Sequence, residues 1–354
     1  MIMGTGTGTS RPPRWRVGRS RRSVKGLVGR RQRGGFICPR ALPVELDLGL
    51  DGVDVPFLRD TASEAARIGS QVIWEALDKP VEGLETKRNA SDLVTRTDKM
   101  TEDAILAYLR RELGGDHMIL GEEGGYTGNP DSDFLWCIDP LDGTTNFAHG
   151  FPSFATSVGL LYKGVAVAGS VVEFTGGPSC WGTRAYAVGR GLGATCNGEP
   201  ISVSDRDSVQ DALLVTGFGY DHGEAWAMNM DFFKHFTDVS RGVRRLGAAA
   251  ADLCQVALGV TEAYHEFYLK PWDVCAGVLI VEESGGKVTT LDGRPYTVFD
   301  KSLLASNGLV HEEMMHHIAP RVETLSVSEE LKERWFIPDG YEAIEATPSS
   351  SSSS

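Results

Sequence analysis

A short apolar stretch followed by the run Asp139–Thr145 constrains this chain more than any other feature of its sequence. The apolar stretch, Phe134–Ile138, has the length and composition of a buried strand. Pro140 removes a backbone donor and restricts the residue before it, so we expect the strand to stop there and turn. Two aspartates would then be fixed at a strand end, where α/β proteins commonly bind ligands.

The turn carries the residue types that metal-assisted phosphate chemistry uses. Asp139 and Asp142 offer carboxylates to a hard cation such as Mg²⁺. Gly143 allows the backbone to approach a ligand, and the Gly143 and Thr144 amides could face an anion. An Asp-Pro-x-Asp-Gly stretch is also ordinary turn chemistry, in which the Asp side chains bond to nearby amides. Taken alone, the run leaves both interpretations open.

Two further acidic motifs follow or precede apolar segments. Glu122 and Glu123 come after the apolar stretch Met118–Leu120 and are bracketed by glycines. Asp273 follows Lys270–Trp272 at the start of a long apolar segment. A solvated acidic turn would explain the glutamates, and helix N-capping would explain Asp273. Three such motifs between apolar elements favour a shared site.

These motifs resemble the inositol monophosphatase family of magnesium-dependent, lithium-sensitive phosphatases. The resemblance runs from about Phe57 to Pro320. Its motifs, in chain order, are Glu122–Glu123, Asp139–Phe147 and Trp272–Asp273. Three further segments are similar to the chloroplast-targeted branch of the family: Trp136–Cys137, Gly217–Tyr220 and Lys270–Asp273.

The family resemblance implies a layered αβαβα sandwich of the sugar-phosphatase type. The order of predicted elements is typical of an N-terminal α+β part, residues 45–201, followed by a C-terminal α/β part, residues 202–326. The predicted helices cover residues 57–77, 97–113, 224–236, 247–258, 272–284 and 311–324. The predicted strands cover residues 92–98, 117–121, 133–139, 153–163, 165–174, 178–189, 212–217, 262–267 and 302–306.

The charge of the chain is divided unevenly. Residues 1–44 hold ten Arg, one Lys and no acidic residue, which is typical of an organellar transit peptide. A basic arm for nucleic acid or membrane is the alternative. With the chloroplast-targeted resemblance, we expect the chloroplast stroma, with the mitochondrial matrix as the alternative. Residues 327–354 form a C-terminal extension whose serine-rich tail we expect to be disordered.

Composition excludes two classes of partner. Hydrophobic residues make up 41% of the 354 residues, and no apolar run approaches the roughly 20 residues of a membrane span. Beyond the basic N-terminus, 24 basic residues face 48 acidic ones, which makes nucleic acid a poor ligand. A small-molecule phosphate ester is the expected partner, and the resemblance implies a homodimer.

The resemblance also implies which residues hold metal. Glu122, Asp139 and the Leu141 carbonyl would bind one Mg²⁺, and Asp139, Asp142 and Asp273 would bind a second, with Asp139 as the bridge. Two or three ions are expected in all. Oxidation of the neighbouring Cys137 or Cys275 could disturb such a site, although burial in the core is the simpler role for either thiol.

A water activated by metal is the expected nucleophile, because no Cys, Ser or His stands in a suitable setting. The resemblance places Thr144 and Asp98 in a proton relay, with Asp98 accepting from Thr144. Asp98 could also cap the second helix, and its two oxygens could serve both roles. The residues that would contact substrate are Glu122, Leu141, Asp142, Gly143, Thr144, Gly247, Ala248, Ala249, Glu266 and Asp273.

Several alternatives concern the alcohol half of the substrate. Glu266 is either a hydroxyl acceptor or a surface charge, and position 248 is Ala where Thr is expected in many relatives. We expect inositol 1-phosphate as the substrate, with histidinol phosphate, a bisphosphate nucleotide or fructose bisphosphate as alternatives. A second phosphate would need a basic pocket, for which Arg241, Arg244 and Arg245 are candidates. A regulatory protein without turnover is the third hypothesis.

Overall fold

The computed structural model describes residues 50, 52–87, 93–339 and 341. The predicted transit peptide and serine-rich tail lie outside these residues. The α-helices are α1 Val55–Ala76, α2 Arg96–Leu113, α3 Thr144–His149, α4 Glu224–Val239, α5 Ala249–Ala257, α6 Pro271–Glu283, α7 His311–Val322 and α8 Ser328–Lys332. The strands are β1 Glu85–Thr86, β2 Leu93–Val94, β3 Met118–Gly121, β4 Gly125–Gly128, β5 Phe134–Asp142, β6 Phe154–Tyr162, β7 Val165–Thr175, β8 Gly182–Gly189, β9 Gly193–Cys196, β10 Glu199–Pro200, β11 Leu213–Thr216, β12 Gly242–Arg244, β13 Ala263–Phe267, β14 Lys287–Thr289 and β15 Ser302–Ser306.

Two sheets organise the described residues. The first has eight strands in the order β10-β9-β8-β7-β6-β5-β3-β4, and the second has five in the order β12-β11-β13-β15-β14. The first sheet lies within residues 45–201 and the second within 202–326, although the boundary between the predicted parts stays a prediction. Strands β3 and β5 are parallel, so their carboxyl ends meet at one edge.

Helices form the outer and middle layers around these sheets. Apolar faces of α1 and α2 pack on one side of the eight-stranded sheet through residues such as Ala62, Ile105 and Trp136. Helices α5 and α6 fill the space between the two sheets. Helices α4 and α7 cover the far side of the five-stranded sheet. The expected αβαβα sandwich is therefore what the chain forms.

The amphipathic helices follow the predicted ranges closely, whereas two local predictions were wrong. The strand β5 does not stop at Pro140 but continues to Asp142, because a bulge shifts the register between Asp139 and Asp142 and leaves Pro140 without a ladder bond to make. Of the predicted strand 92–98, only Leu93–Val94 is extended, since α2 already begins at Arg96. Asp92 lies outside the described residues.

No described helix is long and apolar enough to cross a membrane.

Candidate active site

Parallel pairing of β3 with β5 brings the first two acidic motifs together. Gly121 pairs with Ile138, and the Glu122 amide donates to the Ile138 carbonyl at 3.1 Å. Glu122 and Asp139 are therefore the next residues along two adjacent strands. The Asp139 side chain is only 2% exposed. The edge that the sequence predicted as a site is thus built from neighbouring strand ends.

The bulge at the end of β5 and the turn after it bring Asp139, the Leu141 carbonyl and Thr144 together. Asp139 Oδ1 accepts from the Leu141 amide at 3.0 Å, which fixes the aspartate inside the bulge. Thr144 Oγ1 lies 3.0 Å from the Leu141 carbonyl. Gly143 has φ of 85°, a left-handed conformation that favours glycine, and it starts α3. The turn therefore depends on the glycine that the motif carries.

Asp98 joins α2 to the turn after β5. Its Oδ1 accepts from Thr144 Oγ1 at 2.8 Å, and its Oδ2 accepts from the Thr95 amide at 2.9 Å. The N-cap of α2 is Thr95, so the alternative of Asp98 as the N-cap residue was wrong. Asp98 instead completes a capping box from the third helical position. One oxygen thus stabilises the helix start while the other faces Thr144.

Asp273 repeats this arrangement at the start of α6. Its Oδ2 accepts from the Lys270 amide at 2.7 Å, and Lys270 is the N-cap. Asp273 was expected at the N-cap, but it lies at the third helical position because Pro271 opens the helix as its first residue. Both helix-start aspartates therefore use one carboxylate oxygen for their own helix.

Asp142 connects the eight-stranded sheet to α5. It accepts from the Ala249 amide at 3.2 Å and from the Ala250 amide at 2.7 Å. The N-cap residue Ala248 has no side chain that could do this, so Asp142 caps the helix from 107 residues away in sequence. The Gly247–Ala249 turn predicted to contact the alcohol is thereby placed against the predicted metal ligands.

Glu266 faces the same site from β13 and is not a surface charge. Glu266 is 8% exposed, and Tyr264 Oη donates to the Glu266 carboxylate. A Cβ atom at Gly217 would meet the Glu266 carboxylate at 1.8 Å, so a larger residue there would displace the Glu266 side chain from this position. Burial raises the pKa of Glu266 to about 7, with Asp273 adding to the increase. The surface-charge alternative was therefore wrong, and the role of Glu266 as a hydroxyl acceptor stays a prediction.

Burial raises the pKa of four carboxyls at this edge, and neighbouring carboxyls add to the increase for Glu122, Asp139 and Asp142. Burial first, and then Glu122, Asp142 and Asp273, raise the pKa of Asp139 well above its usual range. Burial likewise raises the pKa of Asp142 and of Asp273, and it brings that of Glu122 to about 7. Protons or a bound cation must offset this concentration of buried negative charge.

The donor set fits a hard divalent cation, since Mg²⁺ prefers carboxylate and carbonyl oxygens. Among the described residues, however, no group of three or more His, Cys, Asp or Glu side chains is arranged as a metal centre. The oxygens are instead engaged by hydrogen bonds, as when Lys87 Nζ lies 2.9 Å from Glu122 and 2.6 Å from Glu123. Burial acts to lower the pKa of Lys87, but the two glutamates outweigh it and the net pKa is raised.

Sequence reasoning missed two residues that support these motifs. Glu102 on α2 accepts from the Glu123 amide at 2.9 Å, and Cβ atoms at Gly121 and Gly124 would meet its carboxylate at 2.6 and 2.7 Å. Asn146 Nδ2 donates to the carbonyls of Ser153 and Leu246 at 2.6 and 2.7 Å. The bracketing glycines were a usable signal for Glu102, because they imply a group packed against the turn.

The three candidate arginines lie in different settings. Arg241 pairs with Asp211 at 2.5 Å on the exposed surface. Arg244 is exposed and donates to the Val243 carbonyl. Only Arg245 approaches the site, where its Nη1 would lie 3.0 Å from a Cβ atom at Gly247. The arrangement therefore offers one arginine, and not a cluster, to the alcohol side.

This fold with its acidic edge defines a class of protein. The chain belongs to the inositol monophosphatase family, whose model matches residues 55–326. Members of this class act on small phosphate esters, and the chain is accordingly a phosphatase.

Individual relatives extend this assignment. The chain is 56% identical over 284 residues to "Phosphatase IMPL1, chloroplastic" of Arabidopsis thaliana, which covers 80% of this chain and 76% of the relative. It is 35% identical over 265 residues to "Nus factor SuhB" of Pseudomonas aeruginosa, covering 74% and 95%. The solved structure of inositol monophosphatase from Anabaena matches with a TM-score of 0.64 and 39% identity, covering 74% of this chain and 95% of that one.

Proposed function

We propose that this protein is a magnesium-dependent phosphomonoesterase that hydrolyses inositol 1-phosphate to myo-inositol and phosphate. The observation that carries the proposal is the convergence of the buried Asp139 and Asp142 with the partly exposed Glu122 and Asp273, beside the Thr144–Asp98 pair. Glu122, Asp139, Asp142, Asp273 and the Leu141 carbonyl would hold two or three Mg²⁺ ions. When bound, Mg²⁺ would supply the charge that acidifies an attacking water and offsets the phosphoryl oxygens.

Thr144 and Asp98 would move the proton. The Thr144 hydroxyl is 2.8 Å from Asp98 Oδ1, so a proton taken up at the hydroxyl can pass to the carboxylate. Burial raises the pKa of Asp98, although bonds from Thr95 and Thr144 oppose the increase. A raised pKa makes Asp98 a better proton acceptor near neutral pH. The Gly143 and Thr144 amides would orient the phosphoryl group.

The alcohol would bind between Asp142, the Gly247–Ala249 turn and Glu266. Carboxylates accept hydrogen bonds from hydroxyl groups, which suits a polyol ring. Arg245, beside Gly247, would border this space and is the residue that would contact an additional anionic group. With a single arginine there, a monophosphate is favoured over a bisphosphate.

The test is phosphate release with Mg²⁺ by the chain lacking residues 1–44. The substrates are inositol 1-phosphate, inositol 4-phosphate, histidinol phosphate, adenosine 3′,5′-bisphosphate and fructose 1,6-bisphosphate. Fastest release from the inositol phosphates is expected, with inhibition by Li⁺. Faster release from another ester would support the same hydrolysis reaction with a different alcohol as the substrate's second half.

A regulatory role is the second candidate, supported by the relative named as a Nus factor. Absence of phosphate release from every ester would favour it.

For the cellular setting we propose a homodimer in the chloroplast stroma, with the mitochondrial matrix as the alternative. The name of the Arabidopsis relative, which includes the word chloroplastic, supports the first compartment. Import of residues 1–44 fused to a fluorescent protein would decide between the two.

A further inference from the structure

The chain continues beyond the part that the family model matches and returns to the candidate active site. We call residues 333–339 the C-terminal strap. The Trp335 amide donates to the Phe299 carbonyl at 3.0 Å. Phe336 and Ile337 pack against the core between the two sheets. Since the family model ends at residue 326, the strap is not part of the matched region.

The strap contacts the segment that leads into Asp273. Lys270 Nζ lies 4.7 Å from the centroid of the Trp335 ring, which is a cation–π distance. The Phe336 and Trp272 rings meet edge to face with centroids 5.1 Å apart. Lys270 is also the residue whose amide donates to Asp273. The strap thus packs on the two residues that flank Pro271, of which Lys270 donates its amide to Asp273.

The same strap contacts the hairpin that carries Glu122. Tyr126 on β4 donates its hydroxyl to the Phe336 carbonyl. Tyr126 pairs with Leu120 on β3, and Glu122 lies in the turn between these strands. Phe336 therefore touches one predicted ligand segment with its ring and the other with its carbonyl.

Backbone strain marks this contact. Phe336 has φ of 54° and Tyr268 has φ of 62°, although bulky residues rarely adopt positive φ. Both rings neighbour Trp335, at centroid distances of 5.4 and 5.9 Å. Such conformations persist only where the surrounding packing imposes them, and they concentrate at functional sites.

We propose that Trp335 and Phe336 are positioning residues that hold the Lys270–Trp272 segment and the β3–β4 hairpin together, so that Asp273 and Glu122 face Asp139. This inference rests on the proposed function in one respect, namely that these carboxylates bind Mg²⁺. The strap itself contacts neither substrate nor metal in this scheme.

The first experiment compares Phe336→Ala with Leu331→Ala. Leu331 is a matched control, because it is 3% exposed in the same C-terminal extension but packs on the other side of the five-stranded sheet. Hydrogen exchange of the metal-free proteins should be faster at residues 122–126 and 270–273 in Phe336→Ala only. Calorimetry should show Mg²⁺ binding weakened by about 10-fold in Phe336→Ala only, the range of losses when residues behind a metal ligand are changed.

A milder variant covers the case in which Phe336→Ala does not fold. Tyr126→Phe removes one hydroxyl and should speed exchange at residues 122–126 without affecting 270–273. Equal exchange and equal Mg²⁺ binding in wild type, Tyr126→Phe and any folded Phe336→Ala would overturn the role of the strap. A wild type that binds no Mg²⁺ and releases no phosphate would instead overturn the proposed function, and the role of the strap toward metal with it.

Discussion

The two sides of the candidate active site are stabilised in different ways. On the side proposed to bind phosphate, Asp98 and Thr144 are joined by a hydrogen bond of 2.8 Å. On the side proposed to bind the alcohol, Glu266 accepts from Tyr264 and packs against Gly217. That side also holds Asp252, which is 1% exposed and has no hydrogen-bond partner among the described residues for either oxygen.

This difference teaches which part of the site can change. Removing the donor or the acceptor of a buried hydrogen bond destabilises the protein, because the partner left behind is buried and unpaired. A buried carboxyl without a partner, such as Asp252, can be replaced by a side chain of similar volume without that cost. We therefore expect the phosphate side to fix the reaction and the alcohol side to fix the choice of ester.

The largest effect is expected at Asp139, where the two sides meet. Asp139→Asn removes the charge that the other three carboxyls surround, so turnover should fall by about 10³-fold, equivalent to several kcal/mol of transition-state stabilisation. The free energy of unfolding without metal should stay equal or rise, because a repelled buried charge is gone. Phosphate release and urea unfolding measure the two effects.

Asp133→Asn is the control for this variant, since Asp133 is exposed beside the opposite end of β5. It should change neither quantity. Turnover retained by Asp139→Asn would refute the arrangement in which Asp139 bridges two metals.

The next effect is expected at Thr144. Thr144→Val keeps the shape of the side chain but removes the hydroxyl that donates to Asp98, so turnover should fall by about 10²-fold while KM changes little. Steady-state kinetics with inositol 1-phosphate give both constants. Thr195→Val is the control, because it removes a hydroxyl that donates to the Ala187 carbonyl in the neighbouring strand of the same sheet. Equal turnover in the two variants would show that the Asp98–Thr144 bond is structural.

Local patterns predicted the elements of the fold better than the contacts between them. Spacing of apolar residues placed α1 and α2 within two residues, because each helix buries one face. The capping of α5 by Asp142 joins residues 107 apart, and no periodicity encodes such a contact. Glu102 looked like any polar helix residue until the hairpin that it supports was folded against it.

The two aspartates at helix starts show the same limit of local sequence at the level of single residues. Asp98 and Asp273 were recognised as residues of helix starts from local sequence, but both lie at the third helical position and not at the N-cap. The second oxygen of Asp98 finds its partner, Thr144, only where tertiary structure brings the turn after β5 against α2. The family resemblance supplied the candidate ligands in advance, whereas the strap lies outside the resemblance and was not anticipated.

A smaller effect is expected at Glu266, on the alcohol side. Glu266→Gln keeps the volume but weakens acceptance of hydroxyl hydrogen bonds, so KM for inositol 1-phosphate should rise by about 10-fold, as expected for a bond to a charged group. KM for p-nitrophenyl phosphate should not change. Because the pKa of Glu266 is raised to about 7, lowering the pH from 8 to 6 should raise KM in wild type more than in the variant.

Glu262→Gln is the control, since Glu262 precedes the same strand but accepts from the Leu213 amide. An equal rise in KM for both esters in Glu266→Gln would place Glu266 with the phosphate side and so remove the contrast between the two sides.

The smallest effect on turnover, and a gain in stability, are expected at Asp252. Burial, followed by repulsion from Asp142 and Glu266, raises its pKa well above the usual range. The folded state therefore binds this proton more tightly than the unfolded state, and wild-type stability is lost as pH rises from about 4, the ordinary pKa of Asp. Asp252→Asn removes that loss, so its free energy of unfolding at pH 8 should exceed that of wild type by about 1–3 kcal/mol. The advantage should shrink toward pH 4. Urea unfolding at both pH values measures it, with the exposed Asp103→Asn on α2 as the control. A variant less stable than wild type at pH 8 would mean that Asp252 is hydrogen-bonded in the folded protein, like Glu266 and Asp142 beside it.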